Sequence, residues 1–412
     1  MNGEQNDIRP FRIDVDDAAL ADLHDRLRRT RWPSTAIGDG WDRGVPADYL
    51  RGLAGYWESG FDWRDREQSL NRLDQFMTDV DGQAIHFVHA RSSHADAVPL
   101  LMIHGWPSTP FEFADAIGPL TEPDIGGTAG TAPAFHVIAP SLPGYGFSTP
   151  LAGTGWGNLF RVAQAFAEIM DRLGYQRYLV HGTDVGAGVA GLVGLVAADR
   201  VIGIHLTGTA PAMPFGPAIE TGSLTGIDRV RAERFNVAQQ DAYGYLHLQS
   251  TRPQTLAYAL ADSPVAQLAW ISEKFHEWTD PSHELPDEAV DRDALLTTVS
   301  IAWFTGAGGS SAHATYEGMQ VYRQMAAQHD AAGTDVAGDA PSGPPMGVAV
   351  FAADNTVRSV FDPAHAMVHW NEYDRGGHFP AMETPDLVVA DLREFADLVA
   401  SADGWASRNA PT

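Results

Sequence analysis

The 412-residue chain contains no cysteine. Disulfides, thiolate metal sites, iron–sulfur clusters and thiol nucleophiles are thereby excluded. Lysine is almost as scarce: Lys274 is the only one, so the positive charge is carried by arginine. Basic residues number 27 against 53 acidic ones, a net charge of −26, which repels a nucleic-acid backbone or an anionic membrane. No uncharged apolar run approaches the roughly 18 residues needed to span a bilayer, and Met1 to Pro10 lacks the apolar core of a secretory signal. The expectation is a soluble, cytoplasmic protein that binds neither nucleic acid nor membrane.

What is present is an ordinary globular composition, 44% apolar, long enough for two or three domains of about 150 residues or for one large core with insertions. Leu20, Leu23 and Leu27 recur at helical spacing behind Asp14, Asp16 and Asp17, where a helix dipole favours negative charge. Aromatic residues follow (Trp41, Tyr49, Tyr56, Trp57, Phe61, Trp63) without strand alternation, so residues 1–80 read as a helical extension packed on something larger. Beyond Asp81-Gly82, short apolar runs at Pro99 to Ile103, Phe135 to Ala139, Tyr178 to Val180 and Val201 to Leu206 alternate with helical patterns at Leu159 to Leu173 and Ala187 to Ala198. Alternating strands and helices imply a mostly parallel α/β sheet flanked by helices. The rhythm breaks over residues 211–345, where Pro253 to Trp278, Asp291 to Phe304 and Tyr316 to His329 are helical in pattern and Asp330 to Pro345 is loose. Strands resume at Val348 to Phe351 and Met367 to Trp370, and Leu387 to Ala400 reads as a closing helix. The expected division is an extension (1–80), a core (81–210 and 346–412) and an inserted helical cap (211–345).

The sharpest local signal is Gly182-Thr183-Asp184-Val185-Gly186 between a strand and a helix. Small residues on both sides of a central position permit the strained turn called a nucleophile elbow. Here the raised side chain is a carboxylate, suited to attack a carbon bearing a leaving group and form an alkyl ester. A helix N-cap aspartate is the competing reading. Gly186-Ala187-Gly188-Val189-Ala190-Gly191 also satisfies a dinucleotide fingerprint, but the next strand ends Leu206-Thr207-Gly208 without the acid that would bind ribose. Other strand ends add His104-Gly105-Trp106-Pro107, whose N–H groups could face an oxyanion, then Asp354, then His378 in Arg375-Gly376-Gly377-His378-Phe379. Asp184, Asp354 and His378 follow in the order nucleophile, acid, base of α/β-hydrolases. His365 and His369 have i,i+4 spacing but straddle the start of a strand and show no third ligand, so no metal site is expected.

Further motifs are Arg9-Pro10-Phe11, Trp32-Pro33, Leu142-Pro143-Gly144-Tyr145-Gly146-Phe147-Ser148, Thr251-Arg252-Pro253, Asp262-Ser263-Pro264 and Glu273-Lys274-Phe275. Together with the strand-end motifs they resemble the epoxide hydrolases of the microsomal type, over nearly the whole chain. The resemblance implies an α/β-hydrolase fold and conversion of an epoxide and water to a vicinal diol through a covalent Asp184 ester, with no cofactor. It makes Asp184 the nucleophile, His378 the base, Asp354 its orienting acid, and the N–H groups of Trp106 and Val185 the oxyanion donors. Two cap tyrosines hold the epoxide oxygen in that family. Tyr245 matches the first, while Thr315 occupies the second position and Tyr316, the next residue, is expected to serve instead. Trp106, Pro107, Thr315 and Trp270 are the expected pocket. The partners implied are a small epoxide and water, and a homodimer is left open. A haloalkane or haloacid dehalogenase and a catalytically silent binding protein of the same fold are the alternatives.

Overall fold

The sheet begins inside the segment that the pattern reads as wholly helical. In the computed structural model, which describes residues 8–33, 40–123, 132–209, 216–332 and 343–403, β1 (Arg9–Phe11) pairs antiparallel with β2 (Gln75–Val80). Between them run α1 (Asp17–Arg28), α2 (Ala47–Ser59) and α3 (Trp63–Leu70). A three-residue strand is too short to show a period of two, and β2 is buried at most positions on both faces, so neither announces itself by alternation. Asp81 and Gly82, both at positive φ, turn the chain from β2 into β3 (Gln83–Ala90), as a two-residue hairpin loop requires.

The remaining strands are β4 (Val98–Ile103), β5 (Phe135–Pro140), β6 (Tyr178–Thr183), β7 (Val201–Thr207), β8 (Met346–Val350) and β9 (His369–Glu372). They complete a nine-stranded sheet in the order β1-β2-β3-β5-β4-β6-β7-β8-β9. β3 meets β5 antiparallel, and from β5 to β9 every neighbour is parallel. α4 (Ala114–Thr121), α5 (Leu159–Arg172) and α6 (Val185–Val196) make the crossovers. Along β4, Leu100 and Met102 join one apolar core while Leu101 and Ile103 join another. Both faces are therefore covered, which is why the strand reads as a continuous apolar run. The order reverses at β4, whose neighbours are β5 and β6; such a reversal opens a crevice at the carboxyl ends of the strands.

Between β7 and β8 lie α7 (Gly226–Asp241), α8 (Gly244–Gln249), α9 (Pro253–Asp262), α10 (Pro264–Trp278), α11 (Pro286–Ala289), α12 (Arg292–Thr305) and α13 (Ala307–Ala332). The single helix expected from Pro253 to Trp278 is two. Pro264 lacks the N–H to continue a helix and forces the residue before it to extend; Ser263 accordingly sits at φ −118°, ψ 109° and caps α10 through its hydroxyl. α13 starts well before Tyr316, directly after Gly306 closes α12 in the left-handed conformation. Most of the expected loose segment, residues 333–342, lies outside the described residues. After β8 come α14 (Arg358–Phe361), α15 (Pro380–Glu383) and α16 (Pro385–Asp403).

The extension packs on these inserted helices. Trp57 of α2 is 1% exposed and donates from Nε1 to Ser300 Oγ of α12 at 2.9 Å. Tyr49 and Tyr56 donate to Asp287 and Asp293 at 3.0 and 2.9 Å, and Trp41 stacks on His276 at 3.8 Å.

Below the sheet, on the face covered by α16, the fold gathers a buried polar network. Asp391 Oδ2 accepts from His205 Nε2 (2.6 Å) and His369 Nε2 (3.0 Å), and Oδ1 from Asn371 (2.7 Å) and Tyr373 (2.5 Å). His205 also meets His181 across neighbouring strands, Nδ1 to Nδ1 at 3.0 Å. His369 thus acquires titratable neighbours that spacing along the chain does not reveal, with ligand-type atoms of His205, His369 and Asp391 within 4.8 Å of one another. Both carboxylate oxygens are already taken by N–H and O–H donors, which marks a structural network rather than a reacting triad. Although burial opposes it, this set of donors depresses the Asp391 carboxyl far below its ordinary range. The stabilisation is in place above the pKa of an unfolded Asp, about 4, and is lost as pH falls. Asp391→Asn should therefore lower stability at neutral pH by about 3–5 kcal/mol, measured by urea unfolding, while the rate of the folded protein on its substrate stays within about twofold of the parent.

Candidate active site

β6 delivers Asp184 to the crevice. Asp184 has φ 52° and ψ −122°, an unusual backbone for a residue with a side chain, and α6 starts at the next residue. The flanking glycines are required by contact: a Cβ on Gly182 would lie 2.2 Å from Gly186 O, and one on Gly186 would lie 2.1 Å from Ile103 O. A side chain at Gly182 would therefore collide with the start of α6, and one at Gly186 with the end of β4, so either would force the elbow apart. Asp184 makes no N-cap hydrogen bond to its helix through the side chain, so the cap reading does not apply. Gly186 serves close packing in the fold, as the glycine-rich stretch at the start of α6 allows.

The carboxylate is held on one side and open on the other. Oδ1 accepts the Trp106 N–H at 2.9 Å, and the Val185 N–H also hydrogen-bonds the group. Oδ2 lies 3.5 Å from His378 Nε2. Burial would raise the Asp184 pKa, but His378 at 3.5 Å and the two N–H groups hold it below the ordinary range. Reciprocally, burial would lower His378, and Asp184 beside it, with the charge of Asp354, holds it above. His378 is fixed by its own N–H to Trp278 O (2.8 Å) and its ring lies 4.8 Å from the Trp278 ring.

Asp354, on the loop after β8, is 5% exposed and accepts the Phe351 N–H at 2.9 Å. Burial pushes its carboxyl up despite that bond and the charges of His378, Arg231 and Arg234. Arg234 of α7 clasps the loop through the Asp354 carbonyl and Asn355. Tyr245 of α8 stacks on Trp106, centroids 4.9 Å apart at 10°, and meets Trp278 edge-on at 5.4 Å. Burial and then the Asp184 charge raise its hydroxyl well above the ordinary value. Trp106, Pro107 and Trp270 line one cavity wall together with Tyr145.

The expectation for Tyr316 is corrected. Its side chain is 37% exposed, because one residue along a helix turns the direction by about 100°. Thr315 is the residue that faces inward, its hydroxyl 3.0 Å from Ser311 O and in reach of the hydroxyl of Tyr145.

Sequence reasoning missed two ionisable neighbours. Lys274, 2% exposed, is paired with Glu273 (2.8 Å) and Glu277 (2.6 Å) and places Nζ 4.8 Å from the Tyr245 ring centre. Its singularity in the composition was the available signal. Glu112 sits in the 3-10 turn Pro110–Phe113, 5% exposed, with Oε1 unpartnered. Burial pushes it up to about 8, so near neutrality it is mainly protonated and adds little negative charge beside Asp184. A carboxyl inside the apolar run Pro-Phe-Glu-Phe was the clue.

The chain is similar to known proteins over nearly its whole length. Residues 8–113 match the family model described as epoxide hydrolase N terminus, and residues 98–227 match that of the alpha/beta hydrolase fold. The chain is 41% identical to a putative epoxide hydrolase of Stigmatella aurantiaca, covering 94% of this chain and 84% of the relative. It is 32% identical to epoxide hydrolase 1 of Sus scrofa, over 96% of this chain and 90% of that one. The Aspergillus niger epoxide hydrolase structure superposes with a TM-score of 0.79 at 30% identity, covering 95% and 97% of the two chains. Among the described residues no helix is long and apolar enough to cross a membrane. By family models, near-full-length likeness and fold, the chain belongs to the epoxide hydrolases, enzymes built on the α/β-hydrolase fold behind a dedicated N-terminal region.

Proposed function

We propose that Asp184 opens the epoxide and His378 completes its hydrolysis, in a core of 81–210 and 346–412 under a helical cap of 211–345, with the extension 1–80, whose β1 and β2 join the sheet, bracing that cap. The observation that carries this is the division of labour between the two Asp184 oxygens. Oδ1 already accepts the Trp106 N–H, with the Val185 N–H also directed at the carboxylate, so Oδ2 is the oxygen free to attack a ring carbon. The C–O bond breaks as the Oδ2–C bond forms, and Tyr245 donates to the alkoxide, which takes its proton while the tyrosine recovers one from solvent. Such a donor is needed because an alkoxide leaves poorly until its charge is stabilised.

The product of that step is an alkyl ester whose carbonyl oxygen, Oδ1, rests on the N–H pair. His378, with Asp354 behind it, takes a proton from water, and the hydroxide attacks Cγ of Asp184. The tetrahedral oxyanion forms where the two donors already point, an arrangement worth about 3 kcal/mol per donor. Collapse expels the alkyl oxygen, which sits on the His378 side and takes back the proton from Nε2. The diol leaves, and Asp184, carrying one oxygen from water, is left as the carboxylic acid and releases its proton to solvent, which balances the one the tyrosine recovered.

Asp184→Asn should abolish ester formation, whereas His378→Gln should open the ring and stop there. Intact mass after incubation with styrene oxide should show the added mass of one epoxide in the second variant and none in the first; the reverse pattern would remove the covalent role of Asp184. The pH dependence should also differ between steps. The group that holds His378 up is the Asp184 anion, and esterification neutralises it, so the imidazole in the ester titrates below its value in the free enzyme. The base must be neutral, so ester decay should slow as pH falls, with an acid limb at lower pH than the His378 titration of free enzyme measured by NMR. Coincident limbs would contradict this coupling.

A further inference from the structure

We infer that the hydroxyl of Tyr145, seated on Thr315, is a second hydrogen-bond donor to the epoxide oxygen. This rests on the assignment of Asp184 as nucleophile. Three arrangements carry it. First, the core loop holding Tyr145 is stitched to the start of α13: Ser310 Oγ donates to Gly144 O at 2.6 Å, and Gly144, at φ +87°, brings its Cα so close that a Cβ would lie 3.1 Å from Ser310 O. The register between loop and helix is thereby fixed, and Thr315, one turn further along α13, can turn its single O–H from Ser311 O to the Tyr145 oxygen, which leaves the phenolic proton for the substrate. A threonine is too short to reach the reacting oxygen itself but can orient a neighbouring phenol.

Second, the Tyr145 ring has little freedom. It is 5% exposed, meets His104 edge-on at 5.6 Å and lines the same cavity wall as Trp106 and Pro107. A rigid phenol beside the nucleophile loses little conformational entropy when it donates to substrate. Third, the hydroxyl lies in the electrostatic field of the reacting groups: burial and then the Asp184 charge raise it, and Tyr145 in turn acts on Tyr245. Geometry joins the three through Trp106: its N–H holds Asp184 at 2.9 Å, its ring stacks on Tyr245 at 4.9 Å, and it lines one cavity wall with Tyr145, so groups from β6, the cap and a core loop meet around one residue. Two donors on an alkoxide divide the developing charge and restrict where the oxygen can sit.

Tyr243 also senses Asp184, but it belongs to the same short segment as Tyr245 and packs toward Phe235 at 6.4 Å. Tyr316 is directed outward. These two supply the rival outcomes.

The test uses the full chain carrying His378→Gln, in which ester formation with styrene oxide is read by quench and intact mass. Adding Tyr145→Phe should slow ester formation by about a hundredfold, within the range for loss of one electrophilic donor, and Tyr316→Phe should leave it unchanged. Thr315→Val keeps the phenol and removes only its seat; ester formation should slow several-fold, with Thr315→Ser restoring it. In the background with His378 intact, decay of the ester should be unaffected by Tyr145→Phe, a split that a general loss of structure would not give. Ester formation at the parental rate in both Tyr145→Phe and Thr315→Val overturns the inference. So does a slowing found in Tyr316→Phe or Tyr243→Phe and not in Tyr145→Phe. If His378→Gln alone accumulates no ester, the nucleophile assignment falls instead, and the two failures are distinct.

Discussion

The structure depends on one backbone constraint, the left-handed turn at Asp184. A residue with a side chain at φ 52° costs about 1–3 kcal/mol and persists only when its surroundings over-determine it. Here they do so from every direction. α6 starts immediately after, Gly186 packs on the end of β4, and the Trp106 and Val185 N–H groups receive the carboxylate. The turn that follows β4 is thus both the support of the elbow and half of the proposed oxyanion site. That double use is possible because the sheet reverses its strand order at β4, bringing the ends of β4 and β6 side by side.

Around that turn the charges are arranged so that one buried carboxylate stays ionised. Asp184 keeps its charge through specific donors, whereas Glu112, without such donors on Oε1, is pushed up to about 8. Two carboxylates in reach of each other are separated by hydrogen bonding rather than by distance, a pattern typical of acid–base sites. Lys274 sits behind the Tyr245 ring and is neutralised by two glutamates. The cap that brings Tyr245 is in turn braced by the N-terminal extension through Trp57 and Ser300. The extension therefore acts on the proposed chemistry at one remove, by bracing the helices that carry Tyr245.

Much of this was legible in residue patterns, and the limits are physical. The elbow could be read because its requirement is local: small residues on both sides of a strained position between a strand and a helix. The parallel strands could be read because burial on two faces leaves a continuous apolar run. β1 was invisible because three residues carry no period, and the break at Ser263 was missed although Pro264 marks it. The inward direction of α13 was misjudged because helical phase depends on where the helix begins, and α13 begins at Ala307, not near Tyr316. The His205–Asp391–His369 network and the meeting of Tyr145 with Thr315 join residues far apart in the chain. No spacing rule reaches across such distances; only the fold brings them together.

The central assignment, that water attacks the Asp184 carboxyl and not the epoxide, is tested most directly by isotope placement. A single turnover with enzyme in excess in ¹⁸O-water should give a diol without label, because its new oxygen comes from Asp184, and peptide mass analysis should find the label on Asp184. A diol labelled in that first turnover, with Asp184 unlabelled, would contradict the covalent route.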